Sequence, residues 1–184
     1  MKTQYPFDVA LSFAEEDRNV AAGINDCLSF LGVKTYYYPD HPEENWGNPL
    51  KTRLPELYEY EARIGLVLLS SSYTQKEYTR IEFNALNRRR RNNRGDFLLI
   101  LRLDHTSSQE LPNVPKDLTY LDWKYNPRKI SELILKKLEQ LGWQSEPSEK
   151  ALEEPGSTGT QQMITGDRNI QIGGNVTAGG DQNF

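Results

Sequence analysis

The run Ile64–Leu69 constrains the fold more than any other part of this chain of 184 residues, because it contains only aliphatic residues and a glycine. A strand with one solvent-exposed face alternates polar and apolar residues, whereas a strand covered on both faces of a parallel sheet is apolar throughout. The run is also far too short to span a bilayer. It therefore predicts a central strand of a parallel sheet with helices on both sides.

Further segments continue an alternation of strands and helices. Strands are predicted at Phe7–Ala14, Val33–Tyr38, Phe97–Leu103 and, with a weaker pattern, Tyr120–Trp123. Apolar residues at helical spacing predict the helices: Ile24, Cys27, Leu28 and Leu31 before Gly32; Leu50, Leu54, Leu57 and Tyr58; the segment from about Tyr73 to Arg91; and Ile130, Leu133, Ile134, Leu138 and Leu141. We therefore expect an α/β fold, a three-layer sandwich with a central parallel five-stranded sheet of flavodoxin-like type.

The composition changes abruptly after Trp143. Ser, Glu, Pro, Gly and Thr dominate the next stretch, and a segment rich in Gly and Asn begins at Gln161. A chain of this length has room for one ordinary α/β domain but not for two. We predict a folded domain over residues 1–143, a flexible linker over 144–160 and a β-prone tail over 161–184.

Bulk properties argue against several classes of protein. The formal net charge of −4 gives no overall attraction to nucleic acid or to anionic membranes. The basic run Arg88–Arg91 is interpreted as the solvated end of a helix. Two histidines and one cysteine show no metal-ligand spacing, so no metal is predicted. Cys27 is alone and is expected to be buried, which favours a reducing compartment, and Asp8 interrupts the only stretch that would suit a signal peptide. We expect a cytoplasmic protein.

Ligands of such sheets bind beyond the carboxyl ends of the strands. These ends are predicted near Ser12–Ala14, Tyr38–Asp40, Ser70–Ser72 and Leu103–His105. We therefore expect the functional site at this edge of the sheet.

Three separated segments carry a recognisable pattern of residues. The first, FDVALSFAEEDR, includes Ser12, Phe13 and an acidic cluster. The second is Trp46-Gly47 with two leucines after it, and the third, SSSYTQKEYTRIEF, places Ser71, Tyr73 and Tyr78 ahead of Glu82. With these segments the chain resembles a TIR domain from about Tyr5 to Gly142, and the second segment is similar to bacterial members in particular.

The resemblance implies an NAD+-cleaving site with Glu82 as its catalytic carboxylate. In enzymatic members of the family an aromatic residue stands four positions before this glutamate, as Tyr78 does here, although Trp is more common at that position and Cys is frequent where this chain has Thr79. One carboxylate suffices, because nicotinamide leaves as a neutral molecule while the ribose develops positive charge. NAD+ is then a substrate and not a cofactor, in keeping with the lack of a G-x-G-x-x-G sequence.

Six further residues are candidates for binding NAD+. Phe13 and Trp46 are suited to stack on the nicotinamide or adenine ring. Ser12, Ala14 and Arg18 border the same edge, and Tyr78 belongs to the motif around Glu82. The alternatives left open are core packing for Phe13, loop packing for Trp46 and an exposed helix position for Arg18. For Glu82 the alternative is a solvated glutamate paired with Arg80, Arg88 or Arg89.

The tail alternates polar and β-branched residues in Asn169–Ile172 and Asn175–Thr177. Such segments stack in register in cross-β assemblies, and the tail resembles the amyloid signalling motifs of some bacterial and fungal immune proteins. The resemblance implies an immune effector that self-associates through its TIR domain and its tail, and a sensor with a matching tail as upstream partner. The alternative is a tail with only a spare β-prone patch.

Two other functions are compatible with the same residues. One is a TIR adaptor that binds other TIR domains through its Trp46 loop without catalysis, and the other is a related nucleoside-processing α/β enzyme. The sequence does not distinguish ADP-ribose, a cyclic isomer and a base-exchange product, because the product depends on how long water is excluded from the reacting ribose.

Overall fold

The computed structural model of the chain describes residues 5–47, 49–93 and 97–144. The predicted tail and nearly all of the predicted linker lie outside these residues. Within the described part, five parallel strands form one sheet in the order β2-β1-β3-β4-β5. They are β1 (Phe7–Ser12), β2 (Thr35–Tyr36), β3 (Ala62–Leu69), β4 (Leu98–Arg102) and β5 (Leu121–Asp122). This is the flavodoxin-like order, so the predicted fold class is confirmed.

Six α-helices accompany the strands in the described part of the chain. They are α1 (Arg18–Phe30), α2 (Pro42–Asn45), α3 (Leu50–Glu56), α4 (Ser71–Gln75), α5 (Glu77–Asn93) and α6 (Pro127–Gln140). Short 3-10 turns lie at Glu15–Asp17, Tyr38–Asp40 and Ser108–Glu110, and a π-helical turn at Leu57–Glu61 follows α3 directly. No described helix combines the length and the apolar character needed to cross a membrane.

The side chains of β3 are divided between two cores, one on each face of the sheet. Ile64, Leu66 and Leu68 pack with buried residues of α1 and α6. Val67 and Leu69 pack on the other face with residues of α3, the π-helical turn and α5. Because alternate side chains of a strand point to opposite faces, an entirely apolar strand supplies both cores at once. This arrangement is the three-layer sandwich that the run predicted.

Gly65 marks the closest approach of α5 to the sheet. A Cβ atom at this position would lie 2.2 Å from Cδ2 of Leu86, which is itself fully buried in α5. The absence of a side chain at Gly65 therefore sets how closely the helix that carries Glu82 packs on β3.

The segment predicted as one helix from Tyr73 to Arg91 is two helices, and this prediction was wrong. Lys76 between them has an extended backbone, with φ −91° and ψ 143°. The Thr79 hydroxyl donates to the carbonyl of Tyr73 at 2.5 Å and to that of Lys76 at 3.0 Å. A threonine hydroxyl thus takes a carbonyl that a continuous helix would use, which is a known competition between side chain and backbone. The predicted N-cap is confirmed, because Ser70 accepts from the backbone N–H of Tyr73.

Two smaller expectations also differ from the structure. Cys27 is only partly buried, because α1 turns Ile24 and Leu28 fully inward and leaves Cys27 at the margin of its apolar face. Arg89 is not a solvated helix end. It is buried, donates to the carbonyls of Ala62 and Arg63, and has its guanidinium 4.4 Å from the ring centroid of Phe97. An arginine is buried here because strand-end carbonyls and aromatic faces satisfy it.

Candidate active site

A cleft of about 260 Å³ opens beside the carboxyl end of β1, with Glu82 in its wall. It lies near the β1–β3 pair, where the strand order reverses and where sheets of this order bind ligands. The lining residues come from the β1 end, the loop after β2, α3 with its π-helical turn, and the α4–α5 junction: Leu11, Phe13, Ala14, Glu15, Tyr38, Leu50, Leu54, Tyr58, Lys76, Tyr78, Thr79 and Glu82.

Glu82 is buried, with 9% of its surface exposed, and its carboxylate is held by hydroxyl groups. The Ser12 hydroxyl donates to Oε2 of Glu82 at 2.6 Å. Ser12 Oγ also lies 2.7 Å from the Tyr73 hydroxyl, and the Tyr58 hydroxyl forms a further hydrogen bond with Glu82. Ser12, Tyr73 and Tyr58 come from β1, α4 and the π-helical turn, so three elements contribute to the polar surroundings of the carboxyl group that α5 carries.

The local folding of each element explains why these groups meet. Ser12 is the last residue of β1, and both Ser12 and Tyr73 are almost fully buried. Tyr58 lies in the π-helical turn, which widens the backbone after α3; such turns are frequent at functional sites. The break at Lys76 starts α5 afresh, so that Glu82 lies in the second turn of α5. The broken helix and the π-helical turn together direct the polar side chains to one point.

Burial raises the pKa of Glu82 from its usual value near 4.5 to about 8, although the hydrogen bonds with Ser12 and Tyr58 both oppose this shift. The arginines that were considered as partners do not pair with Glu82, since Arg88 pairs with Glu59 at 3.1 Å and Arg89 binds backbone carbonyls. Arg80 is exposed. Glu82 is therefore not a solvated helix glutamate, and a carboxyl group with a perturbed pKa in a cleft is a feature of catalytic sites.

Four of the six predicted binding residues lie at this site. Phe13, Ala14 and Tyr78 line the cleft, and Ser12 contacts Glu82 directly. Phe13 stacks on Tyr37, with ring centroids 5.5 Å apart and an interplanar angle of 22°. Phe13 thus combines a packing role with a position in the cleft wall.

Neither Trp46 nor Arg18 lines this cleft. Trp46 follows α2 with 89% of its surface exposed. Arg18 instead pairs with Glu15 at 2.7 Å on the exposed start of α1. This ion pair engages the Arg18 guanidinium, which was a candidate for binding NAD+.

Tyr58 and Lys76 are site residues that the sequence patterns did not single out. Tyr58 was assigned to an apolar helical stripe, although a buried tyrosine hydroxyl generally needs a polar partner. This need for a polar partner was the sign from which a polar role of Tyr58 could have been predicted. Lys76 lies at the cleft and pairs with Glu16 at 2.5 Å. Nothing in the local pattern indicates that this lysine stands at a helix break beside the site.

A second polar cluster fixes the loops beside the cleft. The Ser70 hydroxyl donates to Asp17 at 2.5 Å, and Asp104 accepts from the backbone N–H groups of Ser71 and Thr106 at 2.9 and 2.8 Å. Burial raises the pKa of Asp17. Within the described residues, no group of three or more His, Cys, Asp or Glu side chains is placed to hold a metal ion. The cluster thus connects the loops that follow β1, β3 and β4.

Comparison with known proteins identifies a family and a curated relative. The model of the TIR domain family matches residues 9–135. A curated relative, the 3' cyclic ADP-D-ribose synthase AaTIR of Aquimarina amphilecti, is 31% identical over 137 residues. The match covers 74% of this chain and 41% of that protein, so the chain spans about two fifths of its relative's length.

Two solved structures are similar to this chain at low sequence identity. The TIR domains of the activated Roq1 resistosome, which recognises the pathogen effector XopQ, are 19% identical with a TM-score of 0.54, over 72% of this chain and 99% of that one. The TIR domain of the Toll-related receptor TRR-2 from Hydra magnipapillata is 17% identical with a TM-score of 0.48, over 73% of this chain and 96% of that one. The resistosome domains support the fold of the described residues.

Proposed function

This chain belongs to the TIR domain family, and from that premise we propose that it cleaves NAD+ at the bond between nicotinamide and ribose. The observation that carries the proposal is the buried carboxyl group of Glu82, held by Ser12 and Tyr58 in the wall of an open cleft. The name of the curated relative, a cyclic ADP-ribose synthase, describes chemistry that starts with this bond.

The chemistry needs one negative group close to the ribose. As the bond stretches, nicotinamide becomes neutral and positive charge develops on the sugar. A carboxylate in a largely water-free wall stabilises that charge strongly, because the local dielectric constant is low and the group is already oriented. Glu82 is the buried acidic residue of the cleft lining, since the other, Glu15, is exposed and paired with Arg18.

The size of the cleft favours binding of one half of the dinucleotide. Its volume of about 260 Å³ is below the roughly 300–1,000 Å³ of pockets that bury a drug-sized ligand. We place the nicotinamide ribose beside Glu82, with Phe13, Tyr38 and Tyr78 available to contact the ring. The adenosine half then extends outward, where a neighbouring copy of the chain completes the site.

Assembly is proposed as the switch of this activity. Residues 161–184 would template the assembly after seeding by a sensor. Once the tails associate, the linker keeps the attached TIR domains at a high effective concentration. The chain is thereby proposed as an immune effector that depletes NAD+. Release of nicotinamide should rise more than linearly with protein concentration and should be lost in cells when residues 161–184 are deleted. Undiminished activity of the deleted chain would refute the role of the tail.

The proposed main product is ADP-ribose, formed when water attacks the ribose. A cyclic isomer forms instead when a hydroxyl group of the same molecule reacts first, as the name of the relative implies for that protein. Chromatography of the products after incubation with NAD+ separates the two outcomes.

A second candidate function is a TIR adaptor without catalysis. It is favoured by the exposure of Trp46 and Phe30, each 89% exposed, because large exposed apolar side chains are frequent at protein interfaces. An adaptor would release no nicotinamide at any concentration. The same assay therefore decides between the two functions.

A further inference from the structure

Lys76 supplies the positive charge among the described residues that line the cleft. The other lining residues with an ionisable acid are Glu82 and Glu15. Glu15 is bound by Nε and Nη2 of Arg18, at 2.7 and 2.9 Å. The charge of Glu15 is therefore balanced from outside the cleft, since Arg18 does not belong to the cleft wall. An anionic part of a ligand that enters the cleft would meet the ammonium group of Lys76.

Less than two helical turns separate Lys76 from Glu82. Lys76 directly precedes α5, and its carbonyl accepts from the backbone N–H of Arg80, so the helical rise can be counted from Lys76. Six residues then place the backbones of Lys76 and Glu82 roughly 9 Å apart along the helix axis. Glu82 is buried, whereas the side chain of Lys76 is 46% exposed. The cleft wall thus carries a carboxyl group on its inner part and an ammonium group on its outer part.

We propose that Lys76 binds the pyrophosphate of the dinucleotide, and that its ion pair with Glu16 is the resting contact that the pyrophosphate replaces. The inference deepens the proposed cleavage of NAD+ and rests on it for the identity of the ligand. The nicotinamide ribose of NAD+ carries the pyrophosphate on its 5′ carbon, so a ribose beside Glu82 leaves the phosphates toward the outer part of the cleft. A lysine meets phosphate oxygens there as a compact charge with three donors.

The ion pair between Lys76 and Glu16 is suited to such an exchange. Nζ of Lys76 lies 2.5 Å from Oε1 of Glu16, and the two side chains are 46% and 49% exposed. The hydrogen bond from Lys76 lowers the pKa of Glu16, which keeps this carboxyl group ionised at neutral pH. Water screens an exposed pair strongly, so little stability is lost when it opens. A pyrophosphate carries two negative charges and therefore competes with a single carboxylate for the ammonium group.

The proposed site selects a class of substrate. A phosphorylated pyridinium nucleoside would contact both Glu82 and Lys76, whereas a nucleoside without phosphate would contact the inner part of the cleft alone. Lys76 is thereby assigned to binding and specificity, and the stabilisation of the reacting ribose stays with Glu82.

Binding of ADP-ribose tests the inference without any cleavage, because this probe keeps the pyrophosphate and has no bond to nicotinamide. Calorimetry on the full chain should show that Lys76→Gln lowers the affinity about 10-fold, since a hydrogen bond to a charged group is lost. Lys76→Arg should retain most of the affinity. A wild type that does not bind the probe at millimolar concentration, or that binds it no better than Lys76→Gln, would overturn the inference.

Lys51→Gln is the matched control for the loss of a lysine charge. Lys51 pairs with Glu77 at 2.8 Å, so it also forms an exposed ion pair beside the start of α5. It does not belong to the described cleft wall. Its variant should bind ADP-ribose as the wild type does. A loss equal to that of Lys76→Gln would show a general effect of charge and would contradict a specific phosphate site.

Glu16→Gln tests the resting contact. The change removes the carboxylate that competes for Lys76, so the affinity for ADP-ribose should rise about two- to fivefold, in keeping with the weakness of an exposed pair. An unchanged or lowered affinity would refute the exchange.

Cleavage rates separate phosphate binding from the chemistry. With NAD+ and with nicotinamide mononucleotide, Lys76→Gln should raise KM about 10-fold and leave kcat nearly unchanged. With nicotinamide riboside, which has no phosphate, the variant should match the wild type. An equal loss for all three substrates would contradict a role in phosphate binding. A chain that binds ADP-ribose through Lys76 but never releases nicotinamide would lose the proposed function and keep the phosphate site; unchanged cleavage of NAD+ by Lys76→Gln would do the opposite.

Discussion

Ser12 Oγ lies 2.6 Å from Glu82 Oε2, although 70 positions separate the two residues in the chain. Ser12 ends β1 and Glu82 lies in the second turn of α5, so this bond joins the first strand to the helix that follows the central one. Both residues are buried, and Tyr73 contacts the same serine oxygen. The carboxyl group is therefore oriented before any ligand enters, which is the condition for electrostatic catalysis.

Ser12→Ala is predicted to lower the rate of nicotinamide release about 10- to 100-fold at pH 7. A hydrogen bond to a charged group contributes about 1.5–3 kcal/mol, and its loss also leaves Glu82 more fully protonated. Initial rates between pH 6 and 9.5 should show the loss shrinking as the pH rises. The control is Ser131→Ala, since Ser131 is equally buried but lies in α6. Equal rates for Ser12→Ala and the wild type would contradict the prediction.

Glu82 is also predicted to make stability depend on pH. Its pKa is raised to about 8 in the folded chain from a usual value near 4.5, so between these values the folded state binds more protons than the unfolded state. The contribution is fully present below pH 4.5 and is lost as the pH rises through about 8. Urea unfolding should show the wild type losing about 2–5 kcal/mol between pH 5 and 8.5 relative to Glu82→Gln. Parallel pH profiles for the two proteins would contradict the raised pKa.

Gly65→Ala is predicted to destabilise the fold by about 1–3 kcal/mol, because overpacking forces buried neighbours to shift. The added Cβ would stand 2.2 Å from a fully buried Leu86, which has little room to move. The control is Gly23→Ala in α1, where the nearest atoms of Pro127 are 3.6 Å away. That change should be neutral or stabilising, since alanine favours helix. Urea unfolding measures both variants, and equal effects would refute the close approach.

Much of the fold was predictable because its strongest signal is local. The residues of β3 are apolar throughout, which predicts by itself that the strand is buried on both faces. A parallel sheet with helices on both sides follows from that burial. The edge strands β2 and β5 are two residues each, shorter than predicted, because an edge strand packs on fewer neighbours and its pattern is weaker. The break at Lys76 depends on a hydroxyl bond from Thr79 that spacing does not reveal.

The site was only partly predictable from the sequence. Ser12 and Glu82 belong to recognisable motifs, but their hydrogen bond depends on how α5 packs against β1. The polar role of Tyr58 was hidden in an apolar stripe. Trp46 belongs to one of the motifs that resemble the TIR family, yet its ring is exposed to solvent in the described part of the chain.

Trp46→Ala is predicted to leave the free energy of unfolding within about 0.5 kcal/mol of the wild type. The ring is 89% exposed and does not line the cleft of its own chain. If Trp46 acts across an interface between copies, nicotinamide release should fall only at protein concentrations that support assembly. Rates measured across a concentration series test this, and an equal loss at every concentration would show a role within one chain.

The most direct test of the central claim is nicotinamide release by the wild type and by Glu82→Gln at a concentration that supports assembly. The claim predicts rapid release by the wild type and a loss of at least about 1,000-fold in the variant, since the charge opposite the ribose is removed while the shape is kept. Glu132→Gln, an exposed change in α6, should match the wild type. Release by Glu82→Gln at the wild-type rate would contradict the assignment of Glu82 as the catalytic carboxylate.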